Sequence, residues 1–159
     1  MSPKPVSGRT LAEGFASARA AVIREDFSAA AETYLDLLDE ALTPDLRAEA
    51  QNNLASALCM LARSRPDARR LLDQAAMLLN EALRWRSLER APKEWATSRT
   101  NLVVVLMKLF EATGEDRHLL SANLTAQGVE NVLQRAGDAD LQAWFVAVHS
   151  QLGGLRKRP

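Results

Sequence analysis

Apolar residues recur along this chain at spacings of three and four. That is the period of a helix with one buried face, and no alternating pattern marks a strand. Seven such segments stand out, at 9–24, 27–42, 44–63, 67–87, 92–112, 116–135 and 138–152. The junctions between them carry local stop and start signals. Thr43-Pro44 places a proline at a first helical position behind a threonine cap, Ser64-Arg65-Pro66-Asp67 interrupts the next junction, and Ala91-Pro92 opens the fifth segment. Thr113-Gly114 and Gly137-Asp138 supply glycines suited to left-handed helix ends. The expectation is seven helices joined by short loops.

An internal repeat organises them. Sliding residues 44–63 by 48 positions onto 92–111 pairs Pro44 with Pro92, Ala48 with Ala96, Asn53 with Asn101, Leu54 with Leu102, Leu58 with Leu106 and Leu61 with Leu109. The shared leucines fall at i, i+4 and i+7, one stripe of a helix. Each copy therefore presents an apolar face that a neighbouring helix must cover.

The residues within the repeat resemble a known family. Asn53-Leu54-Ala55 with Leu58 is similar to the first helix of a tetratricopeptide repeat, and Leu72-Asp73-Gln74-Ala75-Ala76 running to Leu79, Ala82 and Leu83 is similar to its second. The stretch from Leu88 to Ala96, followed by Asn101-Leu102, resembles the junction of the longer variety found in bacterial multi-repeat proteins. Glu25-Asp26-Phe27 with Ala30, Tyr34 and Leu37 suggests an earlier copy, whose Ala-rich first helix departs from the pattern. A later second helix keeps Ala122 and Ala126 but carries Gly128 within its run.

The resemblance implies an all-α fold: a short right-handed α-solenoid of about three antiparallel helical hairpins (9–42, 44–87, 92–135) with a C-terminal capping helix at 138–152. Residues 1–8 are expected to form a flexible N-terminus, Gly153-Gly154 to end the last helix, and 153–159 to form a basic tail. Stacked hairpins of this kind expose a concave surface suited to a peptide or partner helix. Carried onto matched residues, the family's groove positions are Asn52, Ser56 and Met60 in one copy and Thr100, Val104 and Lys108 in the next. Phe15 and Arg19 come from the weaker first copy. The competing expectation is that a terminal helix folds into this groove. Some relatives clamp a peptide carboxylate with lysine and asparagine. Here Asn53 and Asn101 stand alone, because the matching first-helix lysines are absent.

Composition narrows the function. Apolar residues make up 47% and charged residues 25%, the balance of a folded globular chain. Twenty basic and twenty acidic residues cancel, so no net field draws the protein to nucleic acid or an anionic membrane. The charge is uneven along the chain, acidic from Arg24 to Glu49 and basic from Arg63 to Lys108. The lone Cys59 sits in an apolar helical stretch and reads as a buried small hydrophobe in a reducing cytoplasm. Neither a signal peptide nor a membrane span is expected of the N-terminal region, where Glu13 and Arg19 break any apolar run.

No catalytic or cofactor motif emerges. His118 and His149 have no partner at metal-ligand spacing, and the chain contains neither a glycine-rich phosphate loop nor a G-x-S-x-G elbow. Trp95 reads as a junction staple, whereas Trp85 and Trp144 are candidate interface anchors. Two arginine clusters, Arg63, Arg65, Arg69 and Arg70, then Arg84, Arg86, Arg90, Lys93 and Arg99, invite a nucleic-acid reading together with Arg156-Lys157-Arg158. The preferred reading pairs them with Asp67, Asp73, Glu81, Glu89 and Glu94. The expectation is thus a non-catalytic, cofactor-free interaction module for a protein or peptide. A nucleic-acid regulator and a self-associating repeat unit stand as alternatives.

Overall fold

The computed structural model describes residues 9–157. Within them the chain is all-helical: α1 (Leu11–Ile23), α2 (Phe27–Leu38), α3 (Pro44–Leu61), α4 (Ala68–Trp85), α5 (Pro92–Thr113), α6 (Asp116–Ala126), α7 (Val129–Ala136) and α8 (Ala139–Leu155), with a 3-10 turn at Ala62–Ser64. The expected residues 1–8 and the Arg158 end of the basic tail lie outside the described residues.

Local chemistry sets most boundaries. Thr10 and Glu13 form a reciprocal capping box, the Thr10 hydroxyl accepting from the Glu13 N–H at 3.2 Å and the Glu13 carboxylate from the Thr10 N–H at 2.7 Å. Asp26, Thr43 and Asp138 cap α2, α3 and α8 through the N–H groups of Ala29, Leu46 and Leu141. Pro44 and Pro92 occupy the first position of their helices, so the two copies of the 48-residue repeat begin in the same register.

Two expectations are corrected. The sixth segment is two helices, because Gly128 adopts φ +78° and ends the ladder between α6 and α7. Eight α-helices therefore replace the expected seven. The last helix does not stop at Gly153-Gly154 but runs through both to Leu155. Phe145, Val148, Leu152 and Leu155 form one buried stripe, and burial of Leu155 favours the extra turn over the cost of two glycines.

Each helix from α1 to α5 packs on the next in sequence. The fifth helix also meets α7 and α8, while α8 touches α6 and α7, so α5 is the post around which the C-terminal half is assembled. One core runs through the molecule, from Phe15 and Tyr34, packed edge to face at 6.3 Å, through Leu54, Leu79 and Val103 to Phe145 and Leu152. Gly14 permits the close approach of α1 and α2, since a Cβ there would lie 2.8 Å from Leu37 Cδ2. None of the helices described is long and apolar enough to cross a membrane.

Candidate functional site

The partly exposed face of α3 is formed by Glu49, Asn53, Ser56 and Met60, and that of α5 by Thr97, Asn101, Val104 and Lys108. These two sets are related by the same shift of 48 that relates the sequences. The expected groove positions Ser56, Met60, Val104 and Lys108 lie on these faces. Asn52, Thr100 and Phe15 do not: each is buried, at 5%, 0% and 4% exposure. The reason is helical phase. For Asn52 and Thr100, at 100° per residue, the stripe through Glu49, Asn53, Ser56 and Met60 is centred about 70° round the helix from Asn52, and its copy on α5 lies equally far from Thr100.

Asn52 instead centres a buried polar network. Its Oδ1 accepts from the Ser98 hydroxyl at 2.8 Å and from Asn101 Nδ2 at 3.1 Å, and its Nδ2 donates to Asn53 Oδ1 at 3.1 Å. Arg86, just beyond α4, donates to Ser98 Oγ at 3.0 Å. The network thus joins α3, α4 and α5 at the floor of the surface that α3 and α5 share. Burial pulls the Arg86 pKa down, while the nearby carboxylates of Glu94, Glu49 and Asp45 oppose the shift.

Beside this network lies an open depression of about 340 Å³, lined by Arg19, Val22 and Ile23 of α1, Tyr34 of α2, and Asn53 and Ser56 of α3. It is mainly apolar. Ile23 is 82% exposed at its edge, and burial raises the Tyr34 pKa against an opposing hydrogen bond with Asn53. Arg19 reaches Glu49 at 3.6 Å across the rim. A second open cavity, of about 410 Å³, lies between α5 and the end of α8, lined by Val104, Met107, Lys108 and Glu111 on one side and Gly154 and Leu155 on the other. The end of α8 thus lies beside α5 across an open cavity, while the α1–α3 depression is open and is lined by no residue of α8.

The other candidates are engaged within the chain. Trp85 donates its indole N–H to Asp45 at the start of α3, and the Arg90 guanidinium lies 4.4 Å from its ring centroid. Trp144 is partly buried against the core. Arg99 stacks over Trp95 at 4.9 Å and donates to the carbonyls of Thr125 and Leu124, at 2.7 and 2.9 Å, satisfying the end of α6 where Gly128 interrupts it. Lys93 pairs with Asp138 at 2.7 Å, holding the start of α5 to the cap of α8.

The ion pairing differs from the sequence expectation in its partners. Arg65 and Arg70 pair with Asp67, and Arg69 with Asp73 and Glu115. Among the described residues Glu81, Glu89 and Glu94 form no ion pair, and Glu81 accepts from Gln51 at 2.9 Å. Arg86 and Arg99 thus make their contacts between packed helices, while Arg90 and Lys93 make theirs at the surface.

Cys59 is buried, and burial pushes its thiol pKa up. His149 stacks on Phe145 at 5.5 Å, and His118 is half-buried near the start of α6. Among the described residues no three His, Cys, Asp or Glu side chains are placed to hold a metal ion. The contributions of Val22, Ile23 and Tyr34 to the depression were not signalled by the repeat, because they come from the helix pair that departs most from it. No family model, curated protein or solved structure matches this chain.

Proposed function

We propose that this chain is a non-catalytic interaction module of tetratricopeptide-like design, in which α1/α2, α3/α4 and α5/α6 act as successive hairpins of a short right-handed solenoid and a partner peptide or helix docks on the surface of α1, α3 and α5. The observation that carries this reading is the apolar depression at Val22, Ile23 and Tyr34, rimmed by Arg19, Asn53 and Ser56. Exposed apolar side chains around a concavity, with a few polar groups to fix orientation, are what a helix or peptide anchor requires. The asparagine network beneath it holds α3 and α5 in fixed register and so pre-organises the surface.

Affinity capture from the native host at near-physiological salt tests the proposal. A reproducible protein partner is expected with the wild-type chain and is lost with Ile23→Glu or Ser56→Arg, both at positions open enough to spare the fold. Capture of no protein, or of the same proteins by all three chains, refutes the reading.

A further inference from the structure

From a pair of hydrogen-bond acceptors set between a tryptophan and two arginines, we infer a binding site for a guanine mononucleotide, free or as one residue of a strand, at the open end of the α3/α4 hairpin. It is an open cavity of about 300 Å³ lined by Arg47 and Gln51 of α3 and Glu81, Arg84 and Trp85 of α4. The cavity shares no residue with the α1–α3 depression or the α5–α8 cavity, so it stands apart from the groove reading above.

Gln51 is only 8% exposed, and its Nε2 donates to Glu81 Oε2 at 2.9 Å. That bond fixes the amide with its nitrogen toward the carboxylate. Gln51 Oε1 accepts no hydrogen bond among the described residues and still has solvent access, which the cavity provides. Together with the second oxygen of Glu81 it makes a tethered pair of acceptors, which calls for a guest with two adjacent N–H donors. Guanine has them in N1–H and its exocyclic amino group, whereas in adenine and cytosine the amino group stands beside a ring acceptor. Trp85 is held by its bond to Asp45, and Arg90, over one face of its ring, is not part of the cavity wall, so indole surface is left on which a base stacks. Arg47 and Arg84 are exposed and form no ion pair among the described residues; Arg47 donates to the Leu38 carbonyl at a long 3.4 Å. Two guanidiniums against one carboxylate favour a phosphate and disfavour an arginine side chain, another group with paired donors.

Isothermal titration calorimetry of the full chain with guanosine monophosphate, adenosine monophosphate, guanosine and inorganic phosphate tests this. Guanosine monophosphate should bind at least about ten-fold more tightly than each of the others. Arg84→Ala should weaken it about ten-fold and leave guanosine unchanged, whereas Glu81→Ala should weaken both and erase the preference for guanine over adenine. Both side chains are exposed, and an unchanged helical circular-dichroism spectrum shows that each variant is folded. A guanine-containing tetranucleotide that displaces the mononucleotide assigns the guest to a strand; failure to displace it assigns the free nucleotide. No binding of guanosine monophosphate, equal affinity for the adenine nucleotide, or a wild-type response in either variant overturns the inference. So does phosphate binding as tightly as the nucleotide, which would leave a simple anion site.

Discussion

Asn52, 5% exposed, makes three side-chain hydrogen bonds, and its side-chain oxygen is shared by Ser98 and Asn101. Replacing it by alanine leaves the Ser98 hydroxyl and the Asn101 amide without their acceptor. A buried unsatisfied group costs about 1–3 kcal/mol, so Asn52→Ala should lower unfolding stability by at least that range, read as a reduced urea midpoint at unchanged slope. Ser98→Ala on top of it should cost less than in the wild type, because both act on one network. Additive losses would show that the network does not behave as a unit. This residue also marks where sequence reading slips. Asn52 and Asn53 are chemically identical, and one residue of helix rotates a side chain by 100°, so only packing decides which faces the surface.

At the scale of elements, the threonine cap of α3 and the prolines that open α3 and α5 were legible because they act within four residues. The division of α6 from α7 was signalled by Gly128 but could not be assigned from it. A glycine inside a helical run is tolerated at modest cost, and what makes the break stable is remote: Arg99, on α5, takes up the freed carbonyls of Leu124 and Thr125. Gly128 at φ +78° is there because a side chain disfavours that backbone, whereas no contact crowds its Cβ position. Gly128→Ala should therefore cost about 1–2 kcal/mol from backbone strain alone, seen as a lowered thermal midpoint. A neutral result would mean that α6 and α7 fuse into one helix in solution, as the sequence period suggested.

Across the whole molecule the repeat was readable and the ties across it were not. The shift of 48 relates the exposed faces of α3 and α5 residue for residue, yet the Lys93–Asp138 bridge spans helices whose proximity no local pattern encodes. These ties and the buried thiol together shape the response to pH. Lys93 and the Leu141 N–H hold the Asp138 carboxyl below its ordinary value, so its contribution is present above the unfolded pKa near about 4 and is lost as pH falls through the lower folded value. On the alkaline side Lys93, Tyr34 and Cys59 all have raised values, the first through Asp138, the other two through burial. Each holds its proton longer in the folded chain than in the unfolded one, so stability falls as pH rises beyond the unfolded pKa. Cys59 comes first, since an unfolded thiol ionises near about 8.5, whereas tyrosine and lysine follow above about 10. Urea midpoints should thus be flat from about pH 5 to 8 as far as these groups are concerned and decline from about 8.5. In Cys59→Ala the decline should begin near pH 10, even though the smaller side chain lowers stability throughout. If that variant keeps the wild-type onset, the buried thiol is not what limits the fold in alkali.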